Sequence, residues 1–477
     1  MTAPLWIHTD AAAATAGRAT AAWSAAGVSI DSRSVQPGDL FIAIRGENSD
    51  GHRFVGDALA KGAAAAMVAE DWRDAPRQAP LLVVRNTDAG LADLARAARA
   101  RTAAKFVGVT GSVGKTSTKE MLALALGRAG KTAATQGNLN NHWGLPLSLA
   151  RLPRDTEFGV FEIGMNHPGE IAPLSQILKP DAAIVTNVEA VHLAHFDSEA
   201  AIADAKAEIF AGMTAAGVAV LNRDNRHFER LRQRANAAGV GRICSFGTVR
   251  EADVRLISIS PDALGSDIAA SMDGQVFVYR LSAPGRHLAM NSLAVLGTVR
   301  MLGADCKPCL EALAGFKAMK GRGAQRMIHI EKGSFTLIDE SYNASPASMH
   351  AAIEVLGATA PGPNGRTIAV LGDMLEIGPT ADAEHAALAA EVARNGVEIV
   401  VTAGRHMAML AKALPKNIAS HHGADSDAIR DIVLDIVRPG DVVMVKGSYG
   451  SRMIPIAEAL AALDCERPVN SAVAKRG

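Results

Sequence analysis

The sequence predicts an α/β protein of three domains, the last built on a doubly wound parallel sheet. Three observations carry that expectation. The chain has 477 residues, about three times the ~150 of a common domain. Lys105–Ala129 reads as strand, glycine turn and helix. An apolar run ends at Val109, the turn spans Thr110–Lys115, and Met121, Leu122, Ala125 and Ala129 recur at helical spacing before Gly130. Beyond Met327, the apolar runs Phe335–Ile338, Thr367–Leu371, Ile399–Ala403 and Val442–Val445 alternate with helical stretches at Pro346–Leu356, Ala383–Asn395, Met407–Leu414 and Ile454–Leu463. That alternation is the signature of strands wound in parallel with helices on both faces. The expected units are therefore a small α/β domain (1–104), a central P-loop ATPase-like domain (105–326) and a Rossmann-like domain (327–477).

Charge and composition narrow the function. Lys+Arg and Asp+Glu both number 49, so neither nucleic acid nor an anionic membrane is expected as the main partner. No apolar run reaches the ~18 residues that cross a bilayer. Ala11–Ala26 is alanine-rich but broken by Thr, Gly, Arg, Trp and Ser, unlike a secretory leader. A cytoplasmic, monomeric protein without membrane insertion is expected. Cys306 and Cys309 form one CxxC with no second pair, and reduced thiols are the simpler reading.

In the first unit, strands are expected at Leu40–Ile44, Ala64–Val68 and Leu81–Val84, with a helix from Phe54 to Lys61. Two polar loops lie near strand ends, one at Ser32-Arg33 and one spanning Arg45, Gly46, Asp50 and His52. Composition alone reads them as ordinary connections.

The central unit carries the chemistry. Strand, glycine loop ending in Lys-Thr, then helix is how backbone cradles phosphate. Gly111 and Gly114 turn N–H groups inward, Lys115 neutralises phosphate oxygens, and the Thr116 hydroxyl is placed to ligate magnesium. The strict pattern asks for glycine where Val109 stands, so the loop is the shorter T-G-x-x-G-K-T. Gln136–Pro146 crowds Asn138, Asn140, Asn141 and His142 together, either an Asn-rich turn or a loop near the phosphates. Glu162 ends the strand Phe158–Phe161, where a second oxygen ligand for magnesium belongs. Asn187 ends the next strand, Ala182–Thr186. In the helix expected over Ser198–Met213, Lys206 shares a stripe with Ile202, Ile209, Phe210 and Met213. Such a lysine either snorkels to water or is buried as a neutral amine. Strands follow at Val218–Leu221, Arg242–Phe246 and Val254–Ile259, then an Asp273-Gly274 hairpin. A helix through Met301 carries Asn291, an exposed helix residue or a reader of a base edge. Lys320–Arg326 is basic, glycine-rich and expected to be a hinge.

In the third unit, polar residues gather after strand ends at Asp339–Asn343, Gly372–Glu376 and Lys446–Ser448, where open α/β sheets bind ligands.

These motifs together resemble the Mur ligase family over nearly the whole chain, Asp31 to about Arg452. TGSxGKTS is similar to Thr110–Ser117, GNxNNxxGxP to Gly137–Pro146, and ExGxxxxGEI to Glu162–Ile171. TN…H corresponds to Thr186–His192, and AKxEI to Ala205–Ile209. DESYNASP (Asp339–Pro346) and LGDMLEIG (Leu371–Gly378) resemble the signatures of the branch that adds a D-alanyl-D-alanine dipeptide. The resemblance implies ATP binding by Thr110, Gly111, Ser112, Val113, Gly114, Lys115, Thr116 and Ser117. It implies adenine contact by Asn291, phosphate contact by Arg322 and nucleotide contact by Asp339. It implies magnesium ligation by Thr116, Glu162, His192 and a carbamylated Lys206, with Lys115, Lys206, His192 and Glu162 as the catalytic group. Ser32, Arg33, Arg45, Gly46, Asp50 and His52 are implied to hold the UDP-sugar, with Asn141 and Asn187 as further substrate-binding residues. Three departures stand out: Leu288 where the family has Asn, Tyr449 where it has Arg, and Asp339-Glu340 in place of a double Asp, which leaves open which carboxylate acts.

The implied reaction is ATP-dependent amide formation between UDP-MurNAc-tripeptide and D-Ala-D-Ala through an acyl phosphate, with ATP and Mg2+ required. A sister amide ligase, a small-molecule kinase and an ATP-dependent switch are the competing expectations.

Overall fold

The computed structural model describes residues 4–46, 49–74, 76, 78–190, 196–262 and 264–465. Three large sheets occupy three successive stretches of chain. The first has five strands in the order Arg18–Ala19, Leu81–Val84, Ala65–Ala69, Asp39–Ile42, Gly27–Ser29, all parallel except the first. Strand alternation sends Leu40 and Ile42 to one face and Phe41 and Ala43 to the other, and each face has its own apolar cluster. Helix Thr87–Ala100, capped by the Asn86 side chain, covers the first face with Leu91, Leu94 and Ala98.

The middle sheet has nine strands in the order Thr132–Ala134, Phe158–Glu162, Lys105–Thr110, Ala182–Val185, Val218–Asn222, Arg242–Gly247, Val254–Asp262, Gly265–Met272, Gln275–Leu281. Pairing is parallel up to Val254–Asp262 and antiparallel over the last two strands. The expected Asp273-Gly274 turn closes that final hairpin, with both residues at positive φ. Helices Lys115–Leu126 and Arg286–Met301 cover one face, and Ile171–Leu178 with Glu199–Ala207 cover the other.

The third sheet has six strands in the order Ala324–Ile330, Gly333–Glu340, Val442–Lys446, Thr367–Gly372, Ile399–Ala403, Ala419–Gly423. Only the first is antiparallel to its neighbour. Ala369, Leu371 and Met444 pack under one face, and Val370, Val443 and Val445 under the other. Burial on both faces explains why these strands read as unbroken apolar runs.

Several elements differ from the sequence expectation. The expected hinge Lys320–Arg326 shortens to Lys320–Gly323, because Ala324–Ile330 is already a strand of the third sheet; the expected break after Arg326 falls inside that strand. The helix expected over Ser198–Met213 is α-helical from Glu199 to Ala207 and 3-10 from Glu208 to Gly212. There Glu208 turns its carboxylate to the N–H groups of Gly169, Ile171 and Ala172, capping the helix Ile171–Leu178. No described helix is long and apolar enough to cross a membrane.

The first two units are welded. Trp6 Nε1 donates to the Ala150 carbonyl at 2.9 Å, and Leu147 and Ala150 complete the first unit's core. Arg101 lies over the Trp6 ring and donates to the carbonyls of Leu5 and Leu152, both at 3.0 Å. At the centre of the middle sheet, Phe106 is fully buried and stacks on Phe161 with ring centroids 5.6 Å apart. Phe106→Ala is expected to cost about 3–5 kcal/mol, read as a lowered urea midpoint in tryptophan fluorescence.

Candidate active site

The site forms where the middle sheet reverses direction. After Lys105–Thr110 the chain adds two strands on one side, then crosses to Ala182–Val185 on the other. Ligands of open α/β sheets bind in the crevice at such a switch point. The phosphate loop sits there in strained, glycine-dependent geometry, with φ of 148° at Gly111 and 83° at Gly114. A Cβ on Gly111 would collide with Thr186 Oγ1, and one on Gly114 with the Asn291 side chain. The loop is stitched to the neighbouring strand exit. Thr186 Oγ1 donates to the Val113 carbonyl at 2.6 Å, the Ser112 N–H to the Asn187 carbonyl at 2.8 Å, and the Glu189 N–H to Ser112 Oγ at 3.0 Å. Lys115 Nζ folds back on the loop, donating to the Gly111 carbonyl at 2.8 Å. Thr116 is buried in the first helical turn, with Ser117 half-buried beside it. Thr110 Oγ1 is buried without a partner among the described residues.

Glu162 faces this loop from the adjacent strand and is almost fully buried. Its Oε1 accepts from Asn140 Nδ2 at 2.8 Å, while Oε2 has no partner among the described residues. The Glu162 N–H donates to Thr135 Oγ1 at 3.2 Å, and the Thr135 carbonyl accepts from buried Lys119 Nζ at 2.6 Å. Lys206 is 2% exposed, so the apolar stripe buries the amine rather than letting it snorkel. Burial, then the nearby Lys115 charge, push its pKa well below the ordinary lysine value. Lys115 is itself lowered by burial; Glu162 opposes that shift and Arg322 adds to it. Thus Lys115, Glu162, Lys206 and Arg322 are brought together. His192 lies outside the described residues.

The third unit meets the site through its strand ends. Asn291 abuts Gly114, against the phosphate loop. Asp339, expected to contact nucleotide, is buried and already engaged. Its Oδ2 accepts from the Gly321 N–H at 2.9 Å and its Oδ1 from the Ser341 N–H at 3.1 Å and the Ser341 hydroxyl at 2.5 Å. The neighbouring Glu340 pairs with buried Lys446 at 3.3 Å. Burial lowers the pKa of His287, with Glu340 opposing and Lys446 reinforcing that shift across the boundary between units. Of the two carboxylates, Glu340 is the one facing the central unit.

The loops of the first unit divide in two. Arg33 is exposed, paired locally with Asp31 at 2.8 Å, and Lys61 Nζ holds the Ser32 carbonyl at 2.7 Å. Arg45 is exposed and doubly bonded to Asp71, and Gly46 lies against Trp143 of the central unit. His52 departs from expectation. It is buried, with Nδ1 at 2.6 Å from Asp50 and Nε2 accepting from the Ala69 N–H at 2.9 Å, so both ring nitrogens serve the fold. Asn141 likewise caps the Gly144 helix through the Trp143 and Gly144 N–H groups. The side chain of Asn187 bonds Glu189 and Asn225. Thr135, Lys119 and His287 were given no role by the sequence reading, which named Asn140 only within the Asn-rich loop and left Glu340 open against Asp339. Asn140 and Asn141 are adjacent amides in one loop, and only the helix start at Gly144 tells the cap from the residue on Glu162.

Beside the loop, a cleft of about 440 Å³ opens over the next strand ends, lined by Asn187, Glu189, Asn222, Asn225, Arg286 and Met290 among others.

Comparison with known proteins covers the same three stretches. Residues 24–99 match the Mur ligase family catalytic domain, 109–299 the Mur ligase middle domain, and 325–449 the Mur ligase glutamate ligase domain. The UDP-N-acetylmuramoyl-tripeptide--D-alanyl-D-alanine ligase of Escherichia coli (strain K12) is 34% identical over 435 residues, covering 91% of this chain and 93% of that protein. The chain belongs to the Mur ligase family. As a Mur ligase it is an ATP-dependent enzyme forming C–N bonds, and ligases of this family use magnesium. The Rickettsia prowazekii (strain Madrid E) ligase of the same name is 33% identical over 433 residues, 90% of this chain and 94% of its own. Among solved structures, MurF from Acinetobacter baumannii superposes with a TM-score of 0.83 at 28% identity, covering 97% of this chain and 99% of that one. MurF ligase from Thermotoga maritima in complex with ADP gives 0.76 at 29%, covering 92% and 97%.

Gly111→Ala tests the loop. Steric collision with Thr186 and a forced positive φ are expected to weaken Mg-ADP binding roughly a hundredfold or more, measured by calorimetry.

Proposed function

We propose that this Mur ligase joins UDP-MurNAc-tripeptide to D-Ala-D-Ala, giving the pentapeptide precursor of peptidoglycan, ADP and phosphate. The observation that carries the reading is the orphaned Glu162 carboxylate oxygen close to Lys115 at the phosphate loop, with buried Lys206 close to the same lysine. The substrate pair comes from the relatives' names, supported by the DESYNASP and LGDMLEIG stretches.

The terminal carboxylate of the tripeptide attacks the γ-phosphorus of ATP, and the β,γ-bridging oxygen leaves with its electron pair on ADP. The neutral amine of the dipeptide then attacks the acyl carbon, and the tetrahedral adduct expels inorganic phosphate as the amine proton passes to solvent. Lys115 neutralises phosphate oxygens, and Arg322 adds positive charge from the linker. Asn140 fixes the Glu162 carboxylate. The cleft lined by Asn222, Asn225 and Arg286 suits the nucleoside end of ATP, with Asn291 between it and the loop. Bound magnesium supplies further charge neutralisation, and Thr116, Glu162, His192 and a carbamylated Lys206 are the groups to hold it. A buried carboxylate oxygen without a partner suits a hard cation. A buried amine that has lost its proton is the form that takes up CO2. Glu340 rather than Asp339 is proposed for the nucleotide side. Ser32, Arg33, Arg45, Gly46 and Asp50 are proposed for the UDP-sugar, with His52, Asn141 and Asn187 holding the framework. The units are taken as residues 1–104, 105–323 and 324–477, acting as a cytoplasmic monomer.

Phosphate release from ATP is expected to require both UDP-MurNAc-tripeptide and D-Ala-D-Ala; release indifferent to the dipeptide would refute the assignment. Lys206→Ala is expected to lower turnover roughly a hundredfold or more, with partial rescue by short carboxylic acids. Full activity in that variant rules out the carbamate.

A further inference from the structure

The linker between the middle and third units is held by a single turn of the third. Gly321 and Gly323 flank Arg322, with φ of 78° and 91°. The Gly321 N–H donates to Asp339 Oδ2 at 2.9 Å, and the Gly323 N–H to the Asp339 carbonyl at 2.9 Å. The Tyr342 N–H returns to the Gly321 carbonyl at 3.1 Å. Gly321 is so close to Tyr342 that an added Cβ would sit 2.9 Å from the Tyr342 Cβ. Above this clasp the Arg322 guanidinium lies over the Tyr342 ring, 4.2 Å from its centroid. The same guanidinium is near enough to Lys115 to disfavour that ammonium.

A guanidinium near another cation is pushed away from it unless something holds it. The backbone bonds that clasp Gly321 and Gly323 do not by themselves set the direction of the Arg322 side chain. The Tyr342 ring supplies the restraint, since its electron-rich face attracts a cation and its plane fixes the guanidinium orientation.

We propose that Tyr342 is a positioning residue that acts through Arg322: its ring holds the guanidinium toward Lys115, so that the third unit delivers Arg322 to the phosphate site only while the Asp339–Tyr342 turn clasps the linker. The proposal rests on the phosphate role given to Arg322 above. Asp339 then serves the same end from below, tying the linker backbone to the strand that carries Tyr342.

The test is a double-mutant cycle on the full chain, read both as turnover in dipeptide-dependent phosphate release and as affinity for β,γ-methylene-ATP by calorimetry. Tyr342→Leu keeps the volume and removes the ring face, and is expected to lower kcat about tenfold with little change in the KM for the dipeptide. Tyr342→Phe keeps the ring and is expected to restore most of that loss. In an Arg322→Ala background, Tyr342→Leu is expected to add less than about twofold, because its partner is gone. Equal losses in both backgrounds, or a Phe variant as poor as Leu, overturn the proposal. If phosphate release in the parent ignores the dipeptide, the assigned reaction falls, while the analogue-binding cycle still decides the coupling. If Arg322→Ala leaves both readouts intact, the coupling itself is refuted.

Discussion

Lys115 sits between one carboxylate and two further basic side chains at the heart of this molecule. Glu162 offsets its charge, while Lys206 and Arg322 are each near enough to interact unfavourably with it. Buried charge of one sign is costly in a low dielectric. It is relieved either by an anion entering or by a proton leaving, and the site provides for both. The phosphate loop offers Lys115 and a helix N-terminus to an anion. Burial in the apolar helix face pushes the Lys206 amine toward its neutral form instead. The electrostatic imbalance follows from the topology, because a strand end (Glu162), a helix start (Lys115), a helix residue (Lys206) and the linker (Arg322) meet at one switch point.

The surrounding frame is unequal in stiffness. The first unit is tied to the middle one by Trp6, by Arg101 and by Arg151, whose Nε donates to the Val28 carbonyl at 2.6 Å. It shares a continuous apolar core with the helix Gly144–Ala150. The third unit has its own two-sided core and joins through Lys320–Gly323, with His287 of the middle unit near enough to Glu340 and Lys446 to feel their charges. Small polar contacts between units permit relative motion where shared cores forbid it. The polar loops of the first unit are therefore held at a fixed distance from the phosphate loop, whereas groups on the third unit depend on how the linker is held.

Much of this was legible in the sequence where local and tertiary demands agree. The phosphate loop, the alternating third unit and the Asp273-Gly274 hairpin each carry their own turn chemistry. Lys206 announced itself by standing on an apolar stripe. What the sequence hid was orientation. His52, Asn141 and Asp339 are polar residues in polar loops, and nothing local distinguishes a side chain that caps a helix or pins a backbone from one that meets a ligand. The helix Thr87–Ala100 and the polar edge strand Ala419–Gly423 were missed for a related reason. The first is alanine-rich, with only Leu91 and Leu94 as large apolar residues on its stripe, and the second exposes most of its residues because it closes the sheet.

Asp339 and Glu340 show how a strand resolves such an ambiguity. Successive side chains on a strand point to opposite faces, so two adjacent carboxylates cannot serve the same site. Asp339 turns to the Gly321 N–H and to Ser341, and is spent on the linker. Glu340 must then turn the other way, where Lys446 pairs with it and His287 lies across the boundary. The Glu340 carboxylate also lies against Gly323 of the linker, so the pairing with Lys446 adds to the pleat in setting its direction. The linker and the nucleotide side are served by neighbouring residues of one strand, so a shift of that strand moves both together.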